Sequence, residues 1–478
     1  MAMFQLTISA VIFVMALVAS GHAVIYKRQP RAAALWILVI WLLPAAGAIL
    51  YLLLGVNRVR RQAVAMRGEM VHHRATTDRS SEEIRRQEIV FGPEDESFRL
   101  FSRLVERVTA KPLVGGNDIV PLTNGIEAYP AMLRAIEAAK TSIGLSTYIF
   151  DGAGGGKQFV DALGQANHRG IEVRVLIDAV GANYSWPPVA RELREHGVSV
   201  ALFNPRLIPR WVPAINLRNH RKILVVDGVL GFTGGFNIKR EYWSLEANTP
   251  HFRDLHFQLT GPVVAHLSET FVNDWQFTTG EPLRGEQWFP LLKPSGEMFA
   301  RGIETGPDES FERLRWVMIG ALNAAQRSVC IITPYFLPDT GIVSALNAAA
   351  MRGVGVDILL PWRSNLPYVH WATFGQLWQV LERGCRVWLS PGEFDHSKLM
   401  IVDEAWSLFG SANWDARSLR LNFEFNVECY SREFCQRLLQ TAKERFLDAR
   451  ALSLDDVDGR PLAIKLRDGI ARLFTPYL

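Results

Sequence analysis

The sequence predicts an α/β protein in which two tandem, related α/β/α sandwich domains form a pseudo-dimer, preceded by two N-terminal transmembrane helices. Three observations predict this arrangement. Two long apolar runs open the 478-residue chain, helix-like and strand-like segments then alternate in two similar copies, and a short polar motif occurs once in each copy. Length alone favours two or three domains, since a domain usually holds about 100–200 residues.

The composition is that of a globular enzyme with a short membrane segment. Hydrophobic residues make up 49% of the chain and the formal net charge is +4. This small cationic surplus favours an anionic partner, either lipid headgroups or nucleic acid. The four cysteines form no C-x-x-C pair and show no metal-ligand spacing, so neither a metal nor another cofactor is expected. Reduced thiols are typical of a cytoplasmic domain.

The first 60 residues hold the two apolar runs, at about residues 4–25 and 32–55. Each run is long enough to span a bilayer, which takes about 20 apolar helical residues, and Pro44 is expected to kink the second. The alternative for the first run is a cleaved signal peptide, although its apolar core exceeds the usual ~7–15 residues. The positive-inside rule narrowly places the C-terminal bulk in the cytoplasm. The flanking basic residues are Lys27, Arg28 and Arg31 between the runs and Arg58, Arg60, Arg61 and Arg67 after them.

The remaining chain divides into a linker and two repeats. Residues 61–117 are rich in arginine and include an amphipathic stretch, residues 97–108, which we interpret as a linker helix. The two domains are expected at residues 118–290 and 291–478. Their similarity shows in the segments "NHRGIEVRVLIDAVG" and "AMRGVGVDILLPWRS", each a helix end followed by a strand.

The strongest signal is the motif that the two domains share. The first copy reads "NHRKILVVDGVLGFTGGFN" and the second "DHSKLMIVDEAWSLFGSAN". Both contain His-x-Lys, an Asp after four more residues, and an Asn 17 residues after the His. Two such copies, each set in a similar apolar, strand-like run, are not expected by chance. The candidate site residues are His220, Lys222, Asp227, Gly235 and Asn237 in the first copy and His396, Lys398, Asp403, Ser411 and Asn413 in the second.

These residue types are suited to a phosphoryl group. Residues i and i+2 of a strand share a face, so each His projects beside its Lys, and the Asn follows a tight glycine-bearing turn. Two facing halves would then surround one pocket with cations and amides that stabilise phosphoryl oxygens. One imidazole could attack phosphorus while the other protonates the leaving oxygen. Asp254 and Glu424, which lie 34 and 28 residues after the two histidines, are candidates for the acids that orient the imidazoles.

The duplicated motif resembles the hallmark of the phospholipase D superfamily. Stretches such as "FRDLHFQLTGPVV", "TPYFLPDTGIVSAL" and "GSANWDARSLRLNFEFN" resemble bacterial cardiolipin synthases in particular, from about residue 26 to residue 478. The resemblance implies a multi-pass enzyme of the bacterial inner membrane. It would transfer a phosphatidyl group from one phosphatidylglycerol to another through a phosphohistidine, releasing glycerol. By analogy His220 attacks and His396 serves as acid and then base, but the sequence does not decide which histidine attacks.

Other functions would use the same residues. A phosphodiesterase of the superfamily would pass the intermediate to water if it acts on lipid, or would cleave nucleic acid if it is a nuclease. A catalytically inactive membrane scaffold would have no physical need for two intact motifs. The preferred partners are phosphatidylglycerol and anionic membrane lipid rather than nucleic acid. The Trp- and Arg-rich loops 205–218 and 361–371 are expected to enter the membrane interface, and residues 464–474 to form an amphipathic helix.

Overall fold

The computed structural model describes residues 2–27, 30–55, 96–204, 217–243, 252–308 and 310–475. These residues belong to two compact units, one formed by the N-terminal helices and one by the rest. The basic residues predicted to follow the second apolar run, most of the linker and most of the loop 205–218 lie outside the described residues.

The N-terminal unit is a pair of apolar helical segments. One described helix, at Met3–Tyr26, is long and apolar enough to cross a membrane. The second run is not the single spanning helix predicted for residues 32–55, because it breaks at Pro44, where Ala45 has a φ of 66°. Proline lacks the amide hydrogen and its ring clashes with the preceding turn, so the predicted kink is confirmed as a break. The helices are α1 (Ala2–Tyr26), α2 (Pro30–Leu42) and α3 (Ala46–Leu50), followed by a π-helical turn, Tyr51–Gly55.

Small side chains of α1 face the second segment. Ala16, Ala19 and Ala23 are buried, while large apolar side chains elsewhere on α1 point outward and are exposed. The Trp41 indole nitrogen donates to the Ser20 hydroxyl at 3.1 Å, which fixes α2 beside α1. Small residues inside a helix pair and large apolar residues outside are typical of helices that pack in lipid.

The larger unit is built around one mixed sheet of sixteen strands. Its first half contains α4 (Glu96–Thr109), β1 (Val114–Thr123), α5 (Asn124–Ala138), β2 (Ser142–Thr147), α6 (Gly155–His168), β3 (Glu172–Asp178), α7 (Val189–Glu195), β4 (Ser199–Phe203), β5 (Arg218–Asn219), β6 (Ile223–Val226), β7 (Leu230–Gly234), β8 (Phe252–Arg253), β9 (Leu255–Thr260) and α8 (Val264–Thr279).

The second half repeats most of these elements. It contains β10 (Met298–Thr305), α9 (Arg313–Ala324), β11 (Ser328–Ile332), β12 (Phe336–Leu337), α10 (Thr340–Met351), β13 (Gly355–Pro361), α11 (Pro367–Phe374), α12 (Trp378–Leu381), β14 (Arg386–Ser390), β15 (Phe394–Asp395), β16 (Leu399–Val402), β17 (Trp406–Gly410), β18 (Trp414–Asp415), α13 (Ala416–Arg420), β19 (Asn422–Tyr430), α14 (Arg432–Phe446), β20 (Arg450–Leu452), α15 (Leu454–Asp458) and α16 (Leu462–Leu473).

The strand order shows the duplication directly. From the middle of the sheet outward, the first half runs β1-β9-β7-β6-β2-β3-β4 and the second runs β10-β19-β17-β16-β11-β13-β14, with β20 added at the edge. The two central strands, β1 and β10, pair antiparallel, with Val114 opposite Ala300. The two predicted domains thus share one sheet, and the approximate symmetry axis passes between β1 and β10.

Each half has helices on both faces of the sheet. Ile143 and Leu145 of β2 belong to the core formed with α5 and α6, whereas Gly144 between them faces α8. A Cβ added to Gly144 would lie 2.5 Å from the ring of Phe271, so glycine lets α8 approach the sheet closely. In the second half, Val329 of β11 packs in a separate core with α9 and α10. The predicted layered α/β/α organisation agrees with these contacts.

The predicted linker helix is a helix but not a free linker. Phe98, Phe101 and Val105 of α4 are buried in the core of the second half, and a Cβ added to Gly320 of α9 would lie 2.9 Å from the Phe101 ring. The strong amphipathic pattern of residues 97–108 therefore reflects packing on a domain that is distant in sequence. The predicted domain boundaries at residues 118 and 291 stay predictions.

The motif aspartates brace the sheet. Asp227 and Asp403 follow β6 and β16 in tight turns with φ values of 53° and 52°, a conformation that Asp tolerates better than most residues. Their carboxylates accept hydrogen bonds of 2.7–3.1 Å from the backbone amides of residues 140–142 and 326–328, which lead into β2 and β11. A four-residue strand separates each Asp from its motif Lys. This placement shows both aspartates in a bracing role, and the catalytic role predicted for them stays a prediction.

We expect Asp403→Asn to destabilise the fold without abolishing activity. Asparagine keeps the size and the tolerance of positive φ but removes the charge that holds three backbone amides, a loss of about 1–3 kcal/mol in the free energy of unfolding. Chemical denaturation measures this change, with the exposed Asp448→Asn as control. Unchanged stability together with lost turnover would instead support the predicted catalytic role of Asp403.

Candidate active site

The strand segment before each motif histidine pairs with the other half of the protein. β5 runs parallel to the start of β19, with Asn219 opposite Phe423, so the next residues, His220 and Glu424, lie side by side. The His220 amide donates to the Phe423 carbonyl at 2.9 Å. Backbone pairing across the two halves therefore positions the first imidazole.

The second motif is held in the same way. β15 runs parallel to β8, with Asp395 opposite Arg253, and the next residues are His396 and Asp254. The His396 amide donates to the Arg253 carbonyl at 2.7 Å. The two crossings follow the approximate twofold symmetry of the sheet.

Two histidine–carboxylate pairs result. His220 Nδ1 lies 3.1 Å from Glu424 Oε2, and His396 Nδ1 lies 2.9 Å from Asp254 Oδ2. Both carboxylates named from the sequence thus contact a motif histidine. Each one, however, contacts the histidine of the other half and not the histidine that it follows in the chain. Spacing along a duplicated sequence contains no signal for this exchange.

The motif lysines lie beside their histidines, as the strand periodicity predicts. Lys222 Nζ donates to the His220 carbonyl at 2.8 Å, and Lys398 Nζ donates to the His396 carbonyl. Both side chains are buried, and neither ammonium forms an ion pair with a carboxylate among the described residues. Burial lowers the pKa of Lys222 to about 7 and that of Lys398 to about 8. Burial disfavours the charged ammonium form, so an anion that binds beside these lysines would offset that cost.

The groups of both halves act on one another electrostatically. Burial lowers the pKa of His220, and the charges of both motif lysines lower it further. Burial, both lysines and His220 together hold the pKa of His396 well below its usual range. The negative charges of Glu424 and Asp254 in turn raise the pKa of both lysines, against the effect of burial. The two imidazoles, two ammonium groups and two carboxylates therefore form one connected site.

The two carboxylates have different surroundings. Glu424 accepts hydrogen bonds from the Ser411 hydroxyl at 2.6 Å and the Asn422 amide at 3.1 Å. Burial alone would raise the Glu424 pKa, but His220, Lys222 and Ser411 outweigh it and hold that pKa below the usual value. Gly235 occupies the position equivalent to Ser411, where a Cβ would lie 2.2 Å from Asp254 Oδ1.

Asp254 has fewer donors than Glu424. In addition to His396 it accepts from the Leu255 amide at 2.8 Å. Burial raises the pKa of Asp254 to about 7, against the opposing charge of Lys398. One dyad thus contains a firmly ionised acid, whereas the acid of the other titrates near neutral pH.

Aromatic side chains that we did not predict complete the site. The Tyr242 hydroxyl lies 3.0 Å from His396 Nδ1 and is buried, while Ser418 stands at the equivalent offset in the second motif. Tyr148 packs its ring against His220 at a centroid distance of 5.1 Å, and Tyr335 packs against His396 at 6.3 Å. The matching segments "STYIF" and "TPYFL" of the repeat could have revealed the last two, but no repeat marks Tyr242.

The motif asparagines follow the glycine turns. Asn237 Oδ1 accepts a hydrogen bond from the Ile149 amide at 3.2 Å, just beyond the end of β2. Asn413 donates to Asp415, and its buried Oδ1 has no hydrogen-bond partner among the described residues. No group of three or more His, Cys, Asp and Glu side chains in the described part of the chain could hold a metal ion.

Comparison with known proteins identifies the family. A family model described as "Cardiolipin synthase, PLD-like domain" matches residues 132–275 and 318–446, and one described as "Phospholipase D-nuclease N-terminal" matches residues 10–55. The major cardiolipin synthase ClsA of Bacillus subtilis is 32% identical over 467 residues, covering 95% of this chain and 96% of that protein. The cardiolipin synthase of Geobacillus kaustophilus is 30% identical over 478 residues, covering 100% and 94%.

A solved structure shares the fold. Phosphatidylserine synthase from Haemophilus influenzae superposes with a TM-score of 0.61 at 15% sequence identity, over 79% of this chain and 100% of that one. The sequence matches extend over both halves and the N-terminal apolar region. The chain therefore belongs to the cardiolipin synthase family, whose members carry phospholipase D-like domains.

Proposed function

We propose that the protein is a phosphatidyltransferase that makes cardiolipin and glycerol from two molecules of phosphatidylglycerol. The observation that carries this proposal is the pair of crossed histidine–carboxylate contacts in a pocket with two buried lysines. The two buried motif lysines supply positive charge for a phosphodiester monoanion, and the bound anion in turn favours protonation of one imidazole. Membership of the cardiolipin synthase family supports lipid as both donor and acceptor.

The reaction takes two displacements at phosphorus. His220 attacks the phosphodiester through Nε2, because its Nδ1 faces Glu424. The bond from phosphorus to the glycerol oxygen breaks, and His396 donates its proton to that oxygen. The hydroxyl of a second phosphatidylglycerol then gives its proton to His396 and attacks phosphorus, and cleavage of the phosphorus–nitrogen bond restores His220. Lys222, Lys398, Asn237 and Asn413 stabilise the equatorial oxygens in both steps.

The unequal dyads support His220 as the nucleophile. Attack on phosphorus leaves a positive imidazole ring, which an ionised carboxylate stabilises, and Glu424 is held ionised by Ser411 and Asn422. A histidine that alternates between acid and base needs a partner that does not fix one protonation state. Asp254, with a pKa of about 7, meets this requirement, and the Tyr242 hydroxyl holds the same ring nitrogen in place.

The N-terminal unit supports a two-pass anchor in the bacterial cell membrane. α1 is long enough to span, and α2, the break at Pro44 and α3 form a second apolar segment against its alanine face. We include in the proposal that this hairpin crosses the bilayer twice and leaves the larger unit in the cytoplasm. The buried Ala16, Ala19 and Ala23, together with the outward apolar surface, support this arrangement.

The assignment of nucleophile and acid has a direct test in a donor with an activated leaving group, phosphatidyl p-nitrophenol. Nitrophenolate leaves without protonation, so we expect His396→Asn to release one nitrophenolate per enzyme in a rapid burst and then stall. His220→Asn should give no burst. The measurement is stopped-flow absorbance together with isolation of the lipid-labelled protein. A burst from His220→Asn and none from His396→Asn would reverse the assignment.

The crossed pairing predicts a matching difference between the carboxylate variants in the same assay. Glu424→Gln removes the charge behind the nucleophile and should slow the burst by about 10²–10⁴-fold. Asp254→Asn should leave the burst nearly unchanged but slow turnover with phosphatidylglycerol. Equal effects of both variants on the burst would contradict the assigned pairs.

Product analysis separates phosphatidyl transfer from the alternative function, a phospholipase D-type phosphodiesterase. On thin-layer plates transfer gives cardiolipin, whereas hydrolysis of lipid gives phosphatidic acid. A nuclease would instead cleave single-stranded DNA in a separate assay.

The two-pass anchor predicts which side of the membrane each loop faces. In intact spheroplasts, a membrane-impermeant maleimide should label Lys27→Cys, whose residue lies between the two apolar segments. Leu291→Cys in the larger unit should react only after permeabilisation. Native Cys385, Cys429 and Cys435 are buried, so an exposed introduced thiol reacts preferentially. Labelling of Leu291→Cys in intact spheroplasts would rule out the proposed orientation.

A further inference from the structure

The last helix, α16, presents an apolar face to the outside. Its side chains along this face are between half and four-fifths exposed. A stripe of large exposed apolar residues is unusual on a soluble domain and marks an interaction surface. The stripe consists of Leu462 (79% exposed), Leu466 (62%), Ile470 (50%) and Leu473 (72%).

The opposite face fixes α16 to the second half. Asp468 is fully buried and forms ion pairs with Arg460 and Arg467. Arg472 donates to the Gly375 carbonyl at 3.1 Å, just beyond the end of α11. The helix is thus held in one orientation, and its apolar stripe faces outward as a consequence of these contacts.

Basic residues border the stripe on both sides. At roughly 100° per residue the four apolar positions fall within an arc of about 80°, Lys465 and Arg472 lie about 60–80° to one side, and Arg467 lies about 60° to the other. The Arg467 guanidinium stacks on the Trp371 ring at 4.6 Å from its centroid. Apolar side chains flanked by cations, with a Trp at the border, are typical of helices that lie in a bilayer interface.

The same helix adjoins the candidate active site. Ala471 of α16 packs on a cluster that includes Tyr335, Ala372 and Phe394. Phe394 precedes His396 by two residues, and the Tyr335 ring packs against the His396 ring. The Tyr335 hydroxyl also donates to Asn365 at 2.6 Å, in the loop 361–371 for which membrane contact was predicted. One cluster of packed side chains therefore separates α16, the helix that bears the exposed stripe, from His396.

We propose that the apolar face of α16 docks onto an anionic phospholipid bilayer and so presents the pocket around His396 to lipid headgroups. The choice of lipid as the occupant rests on the proposed function. A second copy of the chain fits less well. In a twofold contact through this stripe the flanking cations of one helix would meet those of the other. Acidic headgroups complement the same cations and accept the apolar side chains beneath them.

Fluorescence on the full-length protein tests this contact without turnover. Leu466→Cys is labelled with an environment-sensitive dye, and the protein is reconstituted into vesicles of phosphatidylglycerol and phosphatidylcholine. Burial raises the pKa of native Cys330, Cys385 and Cys435 to about 12, so they label slowly. The control is Leu291→Cys, whose residue is 91% exposed in the described chain. We expect lipids brominated just below the headgroup to quench the dye at residue 466 strongly and the dye at residue 291 weakly.

Equal quenching at the two positions would overturn the proposal. So would a signal at residue 466 that disappears when the protein is diluted into excess lipid, since that result assigns the stripe to a second copy. Because this readout requires no catalysis, it stands even if the proposed reaction is wrong.

A kinetic measurement then links the surface to function. The double variant Leu466→Ser/Ile470→Ser should raise the apparent KM for phosphatidylglycerol in vesicles about tenfold, as expected for loss of two interfacial side chains, with kcat unchanged. The same variant should act normally on a short-chain phosphatidylglycerol below its critical micelle concentration. A loss of kcat on both substrates would indicate damage to the site and contradict a docking role.

Discussion

The crossed pairing of β5 with β19 and of β8 with β15 is the constraint on which the site depends. Each motif histidine follows a short strand that belongs to one half by sequence and to the other by hydrogen bonding. Arg221, between His220 and Lys222, strengthens the crossing, since its fully buried guanidinium donates to the carbonyls of Glu424 and Thr305. In this structure each histidine–carboxylate dyad takes one member from each half, so both halves are needed to form it.

The buried lysines show what the pocket is built to receive. Removing an ammonium group from water is costly unless a counter-charge replaces the lost solvation, and the depressed pKa values of Lys222 and Lys398 reflect that cost. Without an anion the ammonium form of each lysine is therefore less favoured than it is in water. A bound phosphodiester would stabilise that form. The rigid sheet, braced at its turns by Asp227 and Asp403, holds these destabilising groups in place.

The sequence predicted which residues form the site better than it predicted which of them contact one another. The paired motifs named His220, Lys222, His396 and Lys398 because strand periodicity and an internal repeat are local signals. The crossing of Glu424 and Asp254 was not predictable, because a repeat gives identical spacing whether contacts form within a half or between halves. The bracing contacts of the motif aspartates were not predicted for a related reason. Their carboxylates accept hydrogen bonds from backbone amides, and a pattern of side chains in the sequence does not indicate such contacts.

Other differences between prediction and structure have similar causes. The amphipathic pattern of α4 predicted a helix but not its partner, which lies about 200 residues further along the chain in α9. The second apolar run was predicted as one helix, since apolar composition does not distinguish a continuous span from one broken at proline. Tyr242 was missed because it departs from the repeat, where Ser418 takes its place. Repeats reveal what the two halves share and conceal what distinguishes them.

The departures from symmetry are, in our interpretation, what allows the two halves to do different chemistry. Transfer through a phosphohistidine requires one neutral imidazole and one protonated imidazole at the same moment, a difference that two identical dyads could not fix in advance. Ser411 adds a hydrogen bond to Glu424, whereas Gly235 leaves no room for one beside Asp254. His220 and Lys222 also hold the Glu424 pKa low, whereas burial raises the Asp254 pKa to about 7. The Ser411 hydroxyl, which has no counterpart at Gly235, is thus one of several contacts that distinguish the dyads, together with Asn422 beside Glu424 and Tyr242 beside His396.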